Sequence, residues 1–172
     1  MEFQMHTTYD RPAMSAMARA VRKTVNRKRT RLIHIWIYAV LLLGILCAIP
    51  LNGTLTSSNI VCALVAFFML AVRILEDFLD GWIAYRYILP GTEQVDATFT
   101  AERYCTRSQI STTKWSYETV AAIAESPRYF ILILSQKYAQ IYDKSTLTGG
   151  NYEQFRALLE TATGKSILPM KR

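Results

Sequence analysis

Residues that carry chemistry are scarce in this chain. Histidine is limited to His6 and His34, and cysteine to Cys47, Cys62 and Cys105, among 172 residues. No CxxC pair, HExxH helix or glycine-rich phosphate loop occurs, so the common zinc, metalloprotease and nucleotide-binding signatures are missing. Cys47 and Cys62 fall inside apolar runs and Cys105 stands alone. They read as small hydrophobes, with no disulfide framework to draw. Charge is missing in two places that matter more. Leu32 to Leu51 holds no formally charged residue over twenty positions, and neither does the eight-residue loop Asn52 to Asn59. Acidic residues are nearly absent before Arg31, where only Glu2 and Asp10 occur.

Basic residues fill that N-terminal arm instead. Arg11, Arg19, Arg22, Lys23, Arg27, Lys28, Arg29 and Arg31 all precede the first apolar run and, less Glu2 and Asp10, give this arm most of the net charge of +7. At 1.5 Å per residue, twenty helical residues reach roughly the 30 Å of a bilayer core. A basic cluster abutting such a run is a positive-inside signal and an attraction to anionic lipid headgroups, not a nucleic-acid footprint. Arg22, Lys23, Arg27, Lys28, Arg29 and Arg31 are the candidate headgroup contacts. A cleaved signal peptide would have an apolar region of about 7 to 15 residues. Leu32 to Leu51 is too long for that, and a second run follows it.

The periodicities divide the chain into five segments. Residues 1–31 combine a period-2 strand, with Met1, Phe3 and Met5 alternating with Glu2, Gln4 and His6, and a helix opening at Asp10 and Pro12. Met14, Met17, Ala18, Val21 and Val25 recur at helical spacing, which predicts an amphipathic helix running into the first span. Residues 32–51 form that span and 52–59 an outer loop. Residues 60–89 form the second span, whose helix begins near Ser57 and leaves the membrane as a stalk that stops at Pro90-Gly91. On the stalk, Leu75, Phe78, Leu79, Trp82 and Ile83 continue the apolar stripe, while Arg73, Glu76, Asp77 and Asp80 share the opposite face.

From residue 93 to residue 172 the pattern is that of strands. Val95, Ala97 and Phe99 alternate with polar residues, and further strands are predicted at Arg103 to Arg107, Gln109 to Trp115, Val120 to Glu125, Tyr129 to Leu134 and Tyr138 to Tyr142, with turns at Ser126-Pro127 and Gln136-Lys137. Asn151 and Gln154 form a capping-box pair before Tyr152, Phe155, Leu158, Leu159 and Ala162, on one helical face that ends at Gly164. The fold class is α+β membrane protein: a two-helix hairpin plus a small antiparallel β domain capped by a C-terminal helix. The lone N-terminal strand needs a partner after the hairpin. Both termini are therefore expected on the cytoplasmic side of a bacterial inner membrane, with the uncharged loop outside.

Within the β domain, Lys114-Trp115, Val120 to Glu125, Tyr129-Phe-Ile-Leu-Ile-Leu-Ser135, Ala139-Gln-Ile-Tyr-Asp-Lys144 and Glu153-Gln-Phe-Arg-Ala-Leu-Leu159 resemble the C-terminal domain of the YcxB-like family of bacterial membrane proteins. The resemblance covers roughly the last sixty residues, and Asp143-Lys144 followed by Thr148 and Gly150 fits the family's strand-end pair. It implies a small pleckstrin-homology-like sheet capped by a helix on the cytoplasmic side. No reaction is implied. Trp115 and Glu125 fall at family positions that suggest packing and strand-end hydrogen bonding.

Several residues are site candidates. His34 lies one turn inside the first span, where Arg73 and Asp77 of the second should reach it, either as an interhelical contact or as a proton-sensitive one. Glu76, Asp77 and Asp80 make an acidic stripe that reads as a solvated face, a cation or partner site, or the counterpart of the basic arm. Trp36, Tyr38, Trp82, Tyr85 and Tyr87 read as an interfacial aromatic belt. Asn52-Gly53-Thr54 matches a glycosylation acceptor but reads as a turn. No catalytic residue, metal or cofactor is expected. The first functional expectation is a non-enzymatic membrane protein whose β domain binds a protein or peptide, with strand addition as the mode. An immunity protein blocking a membrane-active toxin through Gly44, Ala48, Ala63 and Ala66 is the alternative. Transport ranks below both, and homo-oligomerisation is left open.

Overall fold

The computed structural model describes residues 2–49 and 56–170. Most of the connecting loop, including Asn52-Gly53-Thr54, lies outside the described residues, as do Met1 and Leu51. Strand β1 (Phe3–Thr8) leads to helix α1 (Arg11–Lys23), then α2 (Arg27–Ala48) and α3 (Ser57–Arg86). Strands β2 (Gln94–Phe99), β3 (Arg103–Arg107), β4 (Thr112–Ser116), β5 (Ala122–Glu125), β6 (Tyr129–Ile133) and β7 (Ala139–Asp143) follow, then α4 (Tyr152–Thr163) and β8 (Ile167–Pro169). The class is α+β, with four helices and two small sheets among the described residues.

Helix α1 starts where Asp10 Oδ1 accepts the Ala13 N–H at 2.8 Å, with Pro12 in the first turn. It does not run on into α2. The Thr24 hydroxyl turns back onto the Ala20 carbonyl at 2.7 Å and the Asn26 N–H reaches the Val21 carbonyl, which breaks the helix before Arg27. Helices α2 and α3 are both long and apolar enough to cross a membrane, and almost none of their residues is buried. They run antiparallel, with Gly44 so close to α3 that a Cβ there would lie 3.4 Å from the Ala66 Cβ. At the loop end the Asn59 side-chain amide donates to the Cys47 carbonyl at 2.9 Å, tying the two helices together. Helix α3 has 30 residues, which at about 1.5 Å each outreaches a bilayer core.

The strands form two sheets, ordered β1-β2-β3-β4 and β7-β6-β5-β8, where the sequence had predicted one antiparallel meander. The chain changes sheet at a 3-10 turn over Tyr117–Thr119, where the Tyr117 hydroxyl donates to the Thr100 carbonyl at 2.7 Å. Strand β8 pairs parallel with β5, because the chain returns along α4 before reaching that free edge. It is three residues long, too short to show a period. The N-terminal strand does find its partner after the hairpin: β1 is antiparallel to β2, with Met5 opposite Ala97. The first β4 residue is Thr112 and not Gln109, since Ser108 to Ser111 close a turn by a 2.8 Å backbone bond. The sheets join where the Asp143 N–H donates to Thr7 Oγ1 at 3.0 Å and Gln4 bridges to Thr148.

Between the sheets and α4 lies an aromatic core. Phe3, Phe99, Tyr104, Phe130, Tyr142 and Phe155 are all buried, with Phe99 centred 5.0 Å from both Tyr142 and Phe155 in edge-to-face contact. Asn151 and Gln154 make the reciprocal cap at the start of α4, placing Phe155 and Leu159 inward. Tyr152 does not join that face. It is half-exposed, with its hydroxyl on the Lys144 carbonyl at 3.1 Å. All five β6 residues are buried. Phe130 and Leu132 face the aromatic core, while Tyr129, Ile131 and Ile133 face Ala13 and Ala20 of α1, so this strand reads as a continuous apolar run.

Two outcomes test this core. Phe155→Ala should cost about 3–5 kcal/mol, read as a lowered urea midpoint of the β domain's circular dichroism. Asp143 is the second position: burial pushes its carboxyl up, but hydrogen bonds from the Ser145 hydroxyl and N–H and from Arg128 outweigh this and hold it below the usual range. Its contribution is therefore present above the ordinary carboxylate range and is lost as pH falls through the depressed folded value. Asp143→Asn should lower stability by roughly 1–3 kcal/mol at pH 7 and flatten the fall in urea midpoint below pH 4.

Candidate functional site

Helix α1 has a second buried face, turned toward α3. Ser15 sits where α3 has Gly81; a Cβ on that glycine would lie 2.9 Å from the Ser15 Cβ, so the helices approach almost backbone to backbone. The Ser15 hydroxyl donates to the Asp77 carbonyl beside it. Two turns further along α1, the Arg22 guanidinium reaches Glu76 at 2.9 Å and Asp80 at 2.5 Å, and pairs with Asp77 as well. Arg19 Nε lies 2.7 Å from Asp77 Oδ2. Arg73 bonds Glu76 at 2.8 Å, and His34 Nε2 of α2 stands 3.3 Å from the same carboxylate without hydrogen-bond alignment. Only 15% of the Arg22 side chain is exposed, while its partners are half-buried, so this cluster is a joint of three helices with Arg22 at its centre.

Several sequence expectations resolve here. His34 and Arg73 do meet, but through Glu76; Asp77 points to α1. Successive helix residues are about 100° apart, and α2 and α1 flank α3 on adjacent sides, so neighbouring carboxylates serve different helices. The acidic stripe pairs with Arg19 and Arg22, as the counterpart of the basic arm, while Asp77 and Asp80 stay about two-fifths exposed. Arg22 thus leaves the group of headgroup contacts. Lys23, Arg27, Lys28, Arg29 and Arg31 remain exposed around the start of α2, without a carboxylate partner among the described residues. Lys23, Arg27 and Arg31 edge a shallow groove of about 510 Å³ that continues onto Ile35 and Tyr38, basic at one end and apolar at the other.

The aromatic belt divides as well. Trp36 and Tyr38 lie on α2, but Trp82, Tyr85 and Tyr87 lie roughly 14–21 Å beyond Arg73 along α3. There Arg11, at the start of α1, stacks over Tyr85 at 5.6 Å. Tyr87 instead borders a cleft of about 320 Å³ at the open end of the two sheets. Tyr9, the end of α3, the β3–β4 hairpin and the start of β7 enclose it, and none of its sixteen lining residues carries a formal charge. Trp115 forms its floor, stacked on Tyr104 at 6.3 Å and tilted on Tyr138 at 6.0 Å, with its indole N–H donated to Thr106 at 2.9 Å. Burial, reinforced by Tyr138, pushes the Tyr9 hydroxyl up to about 12, so it is neutral at any physiological pH.

Strand β4, which contributes Thr113 and Trp115 to the cleft, is an edge strand paired only to β3. The sequence reading gave Trp115 a packing role and did not single out the cleft. Its walls come from elements more than a hundred residues apart, and no linear pattern marks them. Elsewhere, His6 Nδ1 meets Asp96 Oδ1 at 2.7 Å on the exposed face of β1 and β2, a cross-strand surface pair.

Residues 99–159 match the model of the YcxB-like protein family, covering about a third of the chain from the end of β2 into α4. No curated protein and no solved structure matches the chain. The matched stretch includes the half of the cleft built from Thr106, Thr113, Trp115 and Tyr138. Tyr9, Met14, Ala84 of α3 and the residues from Tyr87 to Val95 that line the cleft come from outside that stretch.

The joint makes a graded prediction. Arg22→Ala leaves three carboxylates short of their shared partner and should cost roughly 1–3 kcal/mol, given the partial exposure of the acids. Arg27→Ala should stay within about 0.5 kcal/mol. Urea unfolding of the detergent-solubilised chain separates the two; equal losses would mean that the joint is no more than a surface pair.

Proposed function

We propose that this chain is a multi-pass protein of the bacterial inner membrane, with both flanks of the hairpin in the cytoplasm, and that its β domain is a non-enzymatic module binding an extended peptide segment of a partner protein. The observation that carries the peptide reading is the uncharged aromatic cleft beside the free edge of β4. An edge strand offers backbone donors and acceptors to an added strand, and a neighbouring apolar pocket then selects one side chain of it. Trp115 and Tyr138 suit an aromatic or large aliphatic side chain; the Thr and Ser hydroxyls around them suit peptide amides. A +7 chain with no charge in this cleft has no use there for a nucleotide or phosphate.

The membrane reading rests on α2, α3 and the exposed basic residues at the start of α2. Lys23, Arg27, Lys28, Arg29 and Arg31 would sit at an anionic cytoplasmic surface, each contributing on the order of 1 kcal/mol near the headgroups. The groove from Lys23 and Arg27 to Tyr38 fits a phospholipid, with its phosphate at the basic end and a chain along Ile35. The anchor and the module are stiffly connected through α1, so a partner bound at the cleft would be held at a set distance below the bilayer.

A photoreactive residue replacing Tyr138 in the full chain, activated in cells, should crosslink a protein, and Trp115→Ala should lower that yield at least tenfold. Recovery of lipid alone would overturn the peptide reading. For orientation, reporters fused to either terminus should both read cytoplasmic. Changing Lys23, Arg27, Lys28, Arg29 and Arg31 together to Gln should invert or mix that topology.

A further inference from the structure

Helix α3 keeps an apolar stripe that no other helix or strand packs across, with only the Arg11 and Arg86 guanidiniums lying over its far end. Phe68, Ala71, Leu75, Phe78, Trp82 and Tyr85 follow one another at intervals of 3, 4, 3, 4 and 3 residues, the a/d spacing of a coiled-coil seam. Helix α2 occupies the face bearing Ala66 and Glu76, and α1 the face bearing Asp77 and Gly81. The seam turns away from α2, and only at its far end does α1 reach it, where Arg11 lies over Tyr85: Phe68 is 68% exposed, Leu75 48%, Phe78 61%, Trp82 39% and Tyr85 41%.

Lipid can cover only its upper part. From Ser57 to Glu76 the helix climbs about 30 Å, a full bilayer core, and the ion cluster around Glu76 then marks the headgroup level. The headgroup layer adds only about 5–7 Å on each side. Trp82 and Tyr85 lie roughly 9 and 14 Å past Glu76 along an unbroken helix, beyond that layer, and stay 39% and 41% exposed beside the Arg86 and Arg11 guanidiniums, so their remaining surface stands in water unless another protein surface meets it. Four aromatics per chain, each with about 150–250 Å² to bury, offer on the order of 1,000 Å² across a pair, the threshold of a stable contact.

We infer that the occupant is a second copy of this chain, joined along α3 as a parallel homodimer. This rests on the membrane reading above, because shared insertion makes the two α3 helices parallel and sets each seam residue opposite its own counterpart. The charge layout agrees. The seam positions themselves are uncharged, and the exposed basic residues at the start of α2 lie on the other side of α3; only Arg11 and Arg86, stacked over Tyr85 and Trp82, border the seam. In the bilayer half, packing alone holds the pair; in the stalk half, the hydrophobic effect drives it.

The test uses the full chain in vesicles of phosphatidylethanolamine and phosphatidylglycerol, with the three native cysteines changed to Ser or Ala. Single cysteines at Leu75, Phe78, Trp82 and Tyr85 should form disulfide-linked dimers on mild oxidation. Ile83→Cys and Ile110→Cys, exposed but off the seam, should give at least tenfold less. Uniform crosslinking, or none, overturns the inference. Should a cysteine variant fail to fold, single-molecule photobleaching of the unmodified seam decides it: two-step traces are expected, and single-step traces overturn it. Quenching of Trp82 fluorescence by brominated lipid, without crosslinks, would identify lipid as the cover and also overturn it. Carbonate extraction separates the two readings. Protein retained in the membrane but monomeric loses only the dimer; protein released by carbonate loses the membrane reading and the dimer with it.

Discussion

Everything else in this structure depends on α1 having two buried faces. Ala13 and Ala20 lie against β6 and β7, while Ser15, Arg19 and Arg22 lie against α3. Small residues on both faces let sheet, helix and helix stack closely. Arg22, set among three carboxylates, then fixes the rotation of α3 about its axis. A guanidinium is suited to this place because its planar fork can serve several carboxylates at once and holds its charge when partly buried. Without it, α3 is held to α1 by the Ser15–Gly81 packing, the Arg19–Asp77 pair and the Arg11–Tyr85 stack.

The same joint explains an otherwise odd distribution of charge. A chain with eight basic residues ahead of its first apolar run would present them all to lipid if the arm helix were free. Two of them, Arg19 and Arg22, are withdrawn into the joint, and their charge is offset by acidic residues that reach the same level on the returning helix. The break at 24–26 turns the later residues outward. A single segment thus divides between an internal ion cluster and an exposed basic collar.

The position of the cleft is a consequence of the two sheets. They meet along β1 and β7 and are filled by aromatic side chains toward α4, but at the α3 end they diverge, and Trp115 and Tyr138 span only part of the gap. The end of α3 covers the opening without filling it. An apolar pocket with convergent hydroxyls at the mouth of a β structure is a common place for a ligand. In this chain it lies next to the exposed edge strand β4.

Local patterns determined a good deal by themselves. The uncharged twenty-residue run, the Asp10-Pro12 helix start, the Asn151–Gln154 cap, the β1 alternation and the apolar length of β6 each state their element in a few neighbouring residues, because backbone propensity and periodic burial are short-range properties. The family resemblance of the C-terminal half was legible for the same reason, as a run of local patterns matched by residues 99–159. Pairing across distance was not legible. That Glu76 and not Asp77 faces His34, that Arg22 serves α3 and not the headgroups, that Tyr87 belongs to a cleft, and that β8 returns parallel to β5 all depend on how elements rotate and dock. Those choices are made by the packing of whole faces, in which each element's orientation is set by partners up to a hundred residues away, and only the tertiary structure decides them.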